Sequence, residues 1–483
     1  MIHGLDARPG WLSFGDRHDT CSASLGVPIH LDFDRGTITL SGCSEAAAAT
    51  LPGVLWDPRT QSFRAPAHQY AALRETMARA GHPVVDRVFT PLRDVDPHPV
   101  QGWKPVELRS YQAAAISAWS VANARGLVTL PTGSGKTRLA IAAIAQRRCR
   151  ALCLVPTRVL LEQWRRNLGE FYGGPIGQYG DGRREALPVT VATFASAFHH
   201  MELLGNRFDL VVVDEAHHFG AGSRDEALEM CAATARLGLT GTPPVDPARR
   251  RRLEDLIGRE VYRQRISELT GEFLAPLRVV TLWLNLNAEE RRAYSEEVSV
   301  YLPVVRRFFR DSPRSSWRDF QRAAVLTHEG QRALGAWRRS RRLVAFTEEK
   351  RATLTRLIGE HHGDRMLIFT GDNEATYAIA REHCVMPVTS DIRGTERAEA
   401  LERFSKRELR ALVSSQVLNE GIDVPDANTA ILVGGRLGTR EYLQRVGRLL
   451  RPAADKEAIA YELVTRNTHE VGDARRRRRE LGP

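Results

Sequence analysis

Lysine is nearly absent from this 483-residue chain: it occurs only at 104, 136, 350, 406 and 456, against 64 arginines. Cysteine is also scarce, at 21, 43, 149, 153, 231 and 384, with no Cys-x-x-Cys pair. That spacing excludes a zinc ribbon or a disulfide scaffold, and Cys149 and Cys153 read as small core fillers. No apolar run reaches membrane-spanning length and no signal pattern opens the chain, so a reduced cytoplasmic setting and no membrane partner are expected. Acidic residues are too few to balance the arginines. Net charge is +11 and pI about 9.7, which favours a polyanionic partner. With so few lysines available, one at a phosphate loop stands out.

That lysine lies in Leu-Pro-Thr-Gly-Ser-Gly-Lys-Thr at 130–137, between an apolar run and a helical pattern. A strand–loop–helix of this kind aims backbone N–H groups at phosphates. Thr132, Gly133, Ser134 and Gly135 form the cradle. Lys136 reaches the β- and γ-phosphates, and Thr137 supplies a hydroxyl for Mg²⁺. The strict pattern wants Gly at 130, where Leu stands. A second apolar strand ends in Asp214 and Glu215. Asp214 is suited to hold Mg²⁺ and Glu215 to orient and deprotonate an attacking water. Together they describe an ATP- and Mg²⁺-dependent phosphohydrolase.

The chain divides on pattern. Residues 1–24 carry little periodicity and read as loosely ordered. Residues 25–96 read as a small α+β domain: a hairpin turning at 34–36, a Ser44-capped helix, two short strands about a Pro turn, and a helix over 67–80. Trp56 and Phe63 are expected in its core, with Arg59 and Arg64 solvated; the other reading is an aromatic-plus-basic nucleic-acid surface. A Pro-rich stretch marks the boundary.

From 97 to 268, apolar strands at 127–130, 151–155, 189–193, 210–213 and 236–240 alternate with helices. From 269 to 466 a second series follows at 366–370, 385–388, 411–414, 429–433 and 460–464. The fold class is therefore α/β, two tandem parallel sheets of the same kind, which resemble RecA-like domains, with a helical thumb-like insertion at about 300–345. Residues 467–483 form a basic tail expected to stay disordered away from polyanion.

Further motifs fall at strand ends. Gln112, with Arg109 beside it, lies 24 residues before Lys136, where its amide is placed to read adenine. Thr157, Arg158, Thr193, Thr370 and Ser415 carry hydroxyls or charge suited to a single strand's phosphates, although a threonine or serine there also serves as a helix N-cap. Thr240 and Thr242 lie between nucleotide and cleft as coupling residues, and His217 follows the acids. Gly421 and Asp423 belong to a further lobe-two motif, Glu-Gly-Ile-Asp at 420–423, to which the resemblance named below gives a place in the nucleotide site. Gln444, Arg448 and Arg451 share a helical pattern, and the two arginines would meet a dissociating γ-phosphate.

This ordered set resembles superfamily 2 helicases over roughly 105–465. Within them the chain resembles the XPB family of 3′→5′ DNA translocases, through Ile-Thr-Leu…Leu-Trp-Asp-Pro-Arg…Phe-Arg-Ala-Pro at 38–66, the passage at 256–277, and the Arg-rich insertion. The resemblance implies ATP hydrolysis coupled to movement on single-stranded or forked DNA in nucleotide excision repair. It also implies a damage-recognition-like N-terminal domain and possible work with a nuclease. The family's Arg-Glu-Asp motif is replaced by Pro-Pro-Val-Asp-Pro-Ala-Arg at 243–249, so the resemblance carries translocation further than unwinding. Alternatives are another superfamily 2 motor (a UvsW-like remodeller, a restriction-system motor or an RNA helicase) or an ATP-gated DNA clamp.

Overall fold

A computed structural model of the chain describes residues 28–90, 101–222, 224–269, 273, 276–415, 427–434 and 458–481. The expectations for 1–24 and for Gly421, Asp423, Gln444, Arg448 and Arg451 lie outside the described residues.

The N-terminal domain is a five-stranded sheet of β1 (Ile29–Asp34), β2 (Thr37–Ser41), β3 (Leu55–Asp57), β4 (Ser62–Pro66) and β5 (Val84–Arg87), ordered β3-β4-β2-β1-β5. Arg35 and Gly36 both have positive φ, the two-residue turn that matches strand twist. Only glycine fits at 36, because a Cβ there would meet Met230 of the next domain at 2.4 Å. Ile29, Leu31, Ile38 and Leu40 alternate inward beneath the helix Tyr70–Arg79. Trp56 departs from the core expectation. It lies on the edge strand, 52% exposed, edge-to-face with half-buried Phe63 at 5.0 Å. Arg64 is not solvated either: it pairs with Asp34, while exposed Arg59 pairs with Asp57 at 3.0 Å.

Lobe one is an eight-stranded sheet: β6 (Arg125–Thr129), β7 (Ala151–Val155), β8 (Ile176–Gly180), β9 (Arg183–Glu185), β10 (Val189–Thr193), β11 (Leu210–Val213), β12 (Ala235–Thr240) and β13 (Glu260–Arg263). Its order is β13-β6-β12-β11-β7-β10-β8-β9, parallel except for β9. Strands β7, β10, β11 and β12 are buried along their whole length, as a parallel sheet covered on both faces requires. Cys153 fills this core as expected, with Cys149 packed against it.

Lobe two is a six-stranded, all-parallel sheet: β14 (Leu277–Leu284), β15 (Met366–Phe369), β16 (Met386–Val388), β17 (Ala411–Ser414), β18 (Thr429–Leu432) and β19 (Ala458–Thr465), ordered β14-β19-β18-β15-β17-β16. The insertion leaves the end of β14 as the helix Ala288–Asp311, turns through Trp317–Val325, and returns as His328–Ala345. Phe308, Phe309, Trp317, Phe320 and Trp337 form an aromatic cluster inside it.

The basic tail corrects the expectation of disorder. Residues His469–Leu481 form a helix docked on lobe two. Glu470 pairs with fully buried Lys350 at 2.8 Å, and Arg477 is buried against Glu462. Arginines in a tail read as solvated; Arg477 has found a carboxylate instead, and Glu470 a buried ammonium, which makes burial tolerable.

Candidate nucleotide and nucleic-acid site

Neighbouring strands β6, β12 and β11 each deliver one piece of the site at their C-terminal ends. From β6 comes the phosphate loop. Gly133 and Gly135 have φ of +85° and +76°, and a Cβ at 135 would lie 2.7 Å from Gln112 Nε2. Both glycines are thus dictated by backbone geometry. Ser134 is fully buried, its hydroxyl donating to Pro131 O at 2.7 Å. Gly135 opens the helix Lys136–Arg147, with Thr137 in its first turn. The Lys136 ammonium folds over the loop, 3.3 Å from the carbonyls of Leu130 and Pro131.

Gln112 braces this loop. Its Nε2 donates to Ser134 O at 2.9 Å, and its Oε1 accepts from Arg109 N at 3.0 Å. Tyr111 OH also donates to Ser134 O at 2.7 Å. Arg109 reaches toward lobe two, donating to Phe273 O at 2.9 Å. Neither Tyr111 nor Phe273 entered the set of site residues: Tyr111 stood only beside Gln112, and Phe273 only within the passage at 256–277.

From β11 come Asp214 and Glu215. Asp214 is buried, and its Oδ2 accepts from the Trp164 indole at 2.9 Å. Burial pushes the Asp214 carboxyl up to about 6, with Glu215 beside it acting the same way; Lys136 and the Trp164 hydrogen bond pull it down. Trp164 was legible only as an apolar helix position four residues before Leu168. The available signal was the indole N–H, which needs a partner wherever it is buried. Glu215 adopts left-handed φ 49°, ψ 48°, a strained conformation for a side chain with a Cβ and one that gathers at functional sites.

From β12 comes the Thr-Gly-Thr turn. His217 Nδ1 lies 3.0 Å from Thr240 Oγ1 and 3.3 Å from Glu215 Oε2. Thr240 Oγ1 in turn accepts from Thr242 N at 3.2 Å. The structure therefore joins acid, histidine and both threonines in one chain of contacts. Arg249, on the helix Pro247–Leu256, donates to His217 O at 2.9 Å and closes the arrangement from the outside. Beyond its 3.3 Å contact with His217, Glu215 Oε2 accepts no hydrogen bond, and Thr242 Oγ1 is a buried hydroxyl without a hydrogen-bond partner among the described residues. The acidic, hydroxyl and ammonium groups gathered here fit a magnesium–triphosphate.

Farther along the same rim, β7 and β10 carry Thr157 and Thr193. Thr157 Oγ1 accepts from Leu160 N at 3.3 Å and Thr193 Oγ1 from Ser196 N at 3.2 Å, so both are N-caps. Arg158 is exposed and pairs with Asp181 at 3.2 Å. In lobe two, Thr370 follows β15 and bonds Thr376 at 2.6 Å, while Ser415 follows β17 and donates to Asn373 at 2.6 Å. All four hydroxyls have local partners. At Thr157 and Thr193 the capped ends are helix N-termini, which favour phosphate without reading bases.

Comparison with known proteins agrees with this layout. The family described as Xeroderma pigmentosum group B helicase damage recognition domain matches residues 31–88. Type III restriction enzyme, res subunit, matches 105–245, and the helicase conserved C-terminal domain matches 349–453. The chain is 33% identical over 456 residues to a DNA 3′-5′ translocase XPB2 of Sulfurisphaera tokodaii, covering 93% of this chain and 100% of the relative. It is 28% identical to a DNA 3′-5′ helicase XPB of Mycobacterium tuberculosis, covering 85% of this chain and 70% of that one. The fold is shared with the Pyrococcus furiosus Hef helicase domain (TM-score 0.52, 16% identity, covering 76% of this chain and 98% of that one). It is shared also with S. cerevisiae Dbp5 bound to RNA and ADP BeF3 (TM-score 0.53, 15% identity, 77% and 87%). With an N-terminal domain, two helicase lobes and a full-length relative all in agreement, this chain belongs to the XPB helicase family.

Proposed function

We propose that the chain is an ATP-driven motor that moves 3′ to 5′ on DNA in excision repair, in the cytoplasm and alongside a nuclease. The observation that carries this reading is the contact chain Glu215–His217–Thr240–Thr242. It ties the residue that would handle the attacking water to the turn beside the phosphate loop and to the helix Pro247–Leu256.

In this reading Gly133, Ser134, Gly135 and Lys136 hold the phosphates, and Gln112 and Arg109 hold the adenine side once the Gln112 amide turns from the loop carbonyls it braces. Magnesium, held by Thr137 and Asp214, would draw charge from the β- and γ-oxygens. Glu215 takes the proton of the attacking water, and its fixed backbone keeps the carboxylate from swinging to solvent. Arg448 and Arg451 come from lobe two to the γ-phosphate, with Gln444, Gly421 and Asp423 completing the far wall. Thr157, Arg158, Thr193, Thr370 and Ser415 line the rim where one DNA strand runs. Lobe closure on ATP and reopening after hydrolysis shift that strand.

The test is ATPase turnover with and without single-stranded DNA. DNA should stimulate turnover, and Lys136→Ala or Glu215→Gln should abolish it. Equal turnover with and without DNA or RNA sinks the motor reading.

A further inference from the structure

At the root of the thumb a cavity of 570 Å³ opens between the start of the helix Ala288–Asp311 and the turn after β19. It takes no part in the site described above. Leu286, Val298, Leu302 and Pro303 make an apolar wall. Arg291, Arg306 and Arg466 stand around it, all three exposed. No carboxylate lines it. Glu297 is paired with Arg339, while Glu349 and Glu290 lie outside the lining on the backbone N–H groups of Asn285 and Asn287; of the three arginines, Arg291 also donates to Leu286 O at 3.1 Å. The lining itself therefore carries positive charge, which favours an anionic group.

A second observation comes from Pro303, which stands inside the helix. Proline has no N–H to give the carbonyl four residues earlier. That carbonyl belongs to Ser299, which lines the same cavity. The cavity thus offers an apolar wall, a cationic rim and a helix carbonyl without its usual donor. A ligand matching all three has an anionic group, a flat apolar body and an N–H donor. A cavity of this volume takes one small unit, whether a free ligand or a single residue of a chain, rather than a duplex.

Topology places the cavity on a working edge. Leu284 pairs with Thr465, and Phe369 pairs with both Leu432 and Ser414. The cavity thus lies at the same C-terminal rim as Thr370 and Ser415. With β14 three strands from β15 and four from β17, the separations are about 14 and 19 Å along the rim.

We propose that this cavity receives one nucleotide unit, with its phosphate on the three arginines, its base against the apolar wall, and a base N–H on the Ser299 carbonyl. The unit is either a residue of a bound strand or a free nucleoside monophosphate. The strand source rests on the DNA reading above; the free source does not.

The experiment uses the full chain and two variants, Arg466→Glu and Leu302→Trp, both remote from the phosphate loop. A single-stranded oligonucleotide carrying photoreactive thymines is crosslinked and the peptide mapped. Thymidine and adenosine monophosphates are tested separately by equilibrium dialysis. Wild-type crosslinks within residues 285–306, with both variants about tenfold weaker for the oligonucleotide (about 1.4 kcal/mol), support a strand residue in the cavity. Monophosphate binding lost in both variants, without crosslinks there, supports the free source. Variants that match wild type on both probes overturn the proposal. DNA-free ATPase turnover and melting temperature, unchanged in both variants, show that the lobes remain folded. DNA stimulation of wild-type ATPase tests the motor reading separately.

Discussion

The Trp164 indole donates to the Asp214 carboxylate at 2.9 Å, with both side chains buried. A hydrophobic helix residue thereby fixes the rotamer of the acid assigned to magnesium. Outer partners of a metal-holding carboxylate commonly account for 10- to 100-fold in metal affinity. Trp164→Phe should raise the magnesium concentration for half-maximal ATPase by about tenfold. A magnesium titration that overlays wild type removes Trp164 from this role.

Arg249, the last residue of the stretch that stands in place of the Arg-Glu-Asp motif, grips the carbonyl of His217 from outside the site. Arg249→Ala should lower kcat about tenfold, near the 1.4 kcal/mol of one charge-assisted hydrogen bond, with KM for ATP little changed. Arg249→Lys should recover part of the loss. Steady-state kinetics on the three proteins decides. A KM effect with kcat intact contradicts the assignment.

Lys350 and Glu470 form a buried pair that joins the base of the thumb to the C-terminal helix. Burial lowers the lysine pKa and Glu470 opposes that shift. Removing one partner strands a charge, at a cost of about 3–5 kcal/mol. Lys350→Met should therefore lower the melting temperature by more than the double change Lys350→Met with Glu470→Leu. Calorimetric melts that rank the two the other way contradict this account.

His68 lies between the N-terminal domain and lobe one, 3.8 Å from Asp255. Burial depresses it to about 4, and Arg236, Arg252 and Arg125 act in the same direction against Asp255. The unfolded state keeps the ordinary value near 6.5, so it binds the proton first as pH falls. Stability from this group is whole above about 6.5 and declines toward 4, amounting to about 2 kcal/mol lost at pH 5. His68→Leu should narrow the gap in melting temperature between pH 7.5 and pH 5. An unchanged gap excludes His68 as a source of acid sensitivity.

Much of this was legible in sequence, for identifiable reasons. Strands β7, β10, β11 and β17 begin and end where the apolar runs do, because strands buried on both faces read as continuous hydrophobic stretches. Strands β8 and β13 escaped notice. Ile176–Gly180 is rich in glycine, with Gly177 so close to Thr190 that a Cβ would lie 2.4 Å from its hydroxyl. Glu260–Arg263 is an edge strand with a bulge. Phosphate-loop and acid positions could be read because their chemistry demands rare residue types in order. Trp164, Tyr111 and Arg249 act through contacts 50, 23 and 32 residues away in sequence, and only folding brings those partners together.

The N-terminal domain is seated on lobe one at the ends of β7, β11 and β12 opposite the phosphate loop. There Asn206 holds Val88 and Thr90, Arg150 reaches Thr90, and Met230 covers Gly36. So mounted, the domain would ride lobe one as an outrigger, and any rotation of that lobe would carry the exposed Trp56 edge with it.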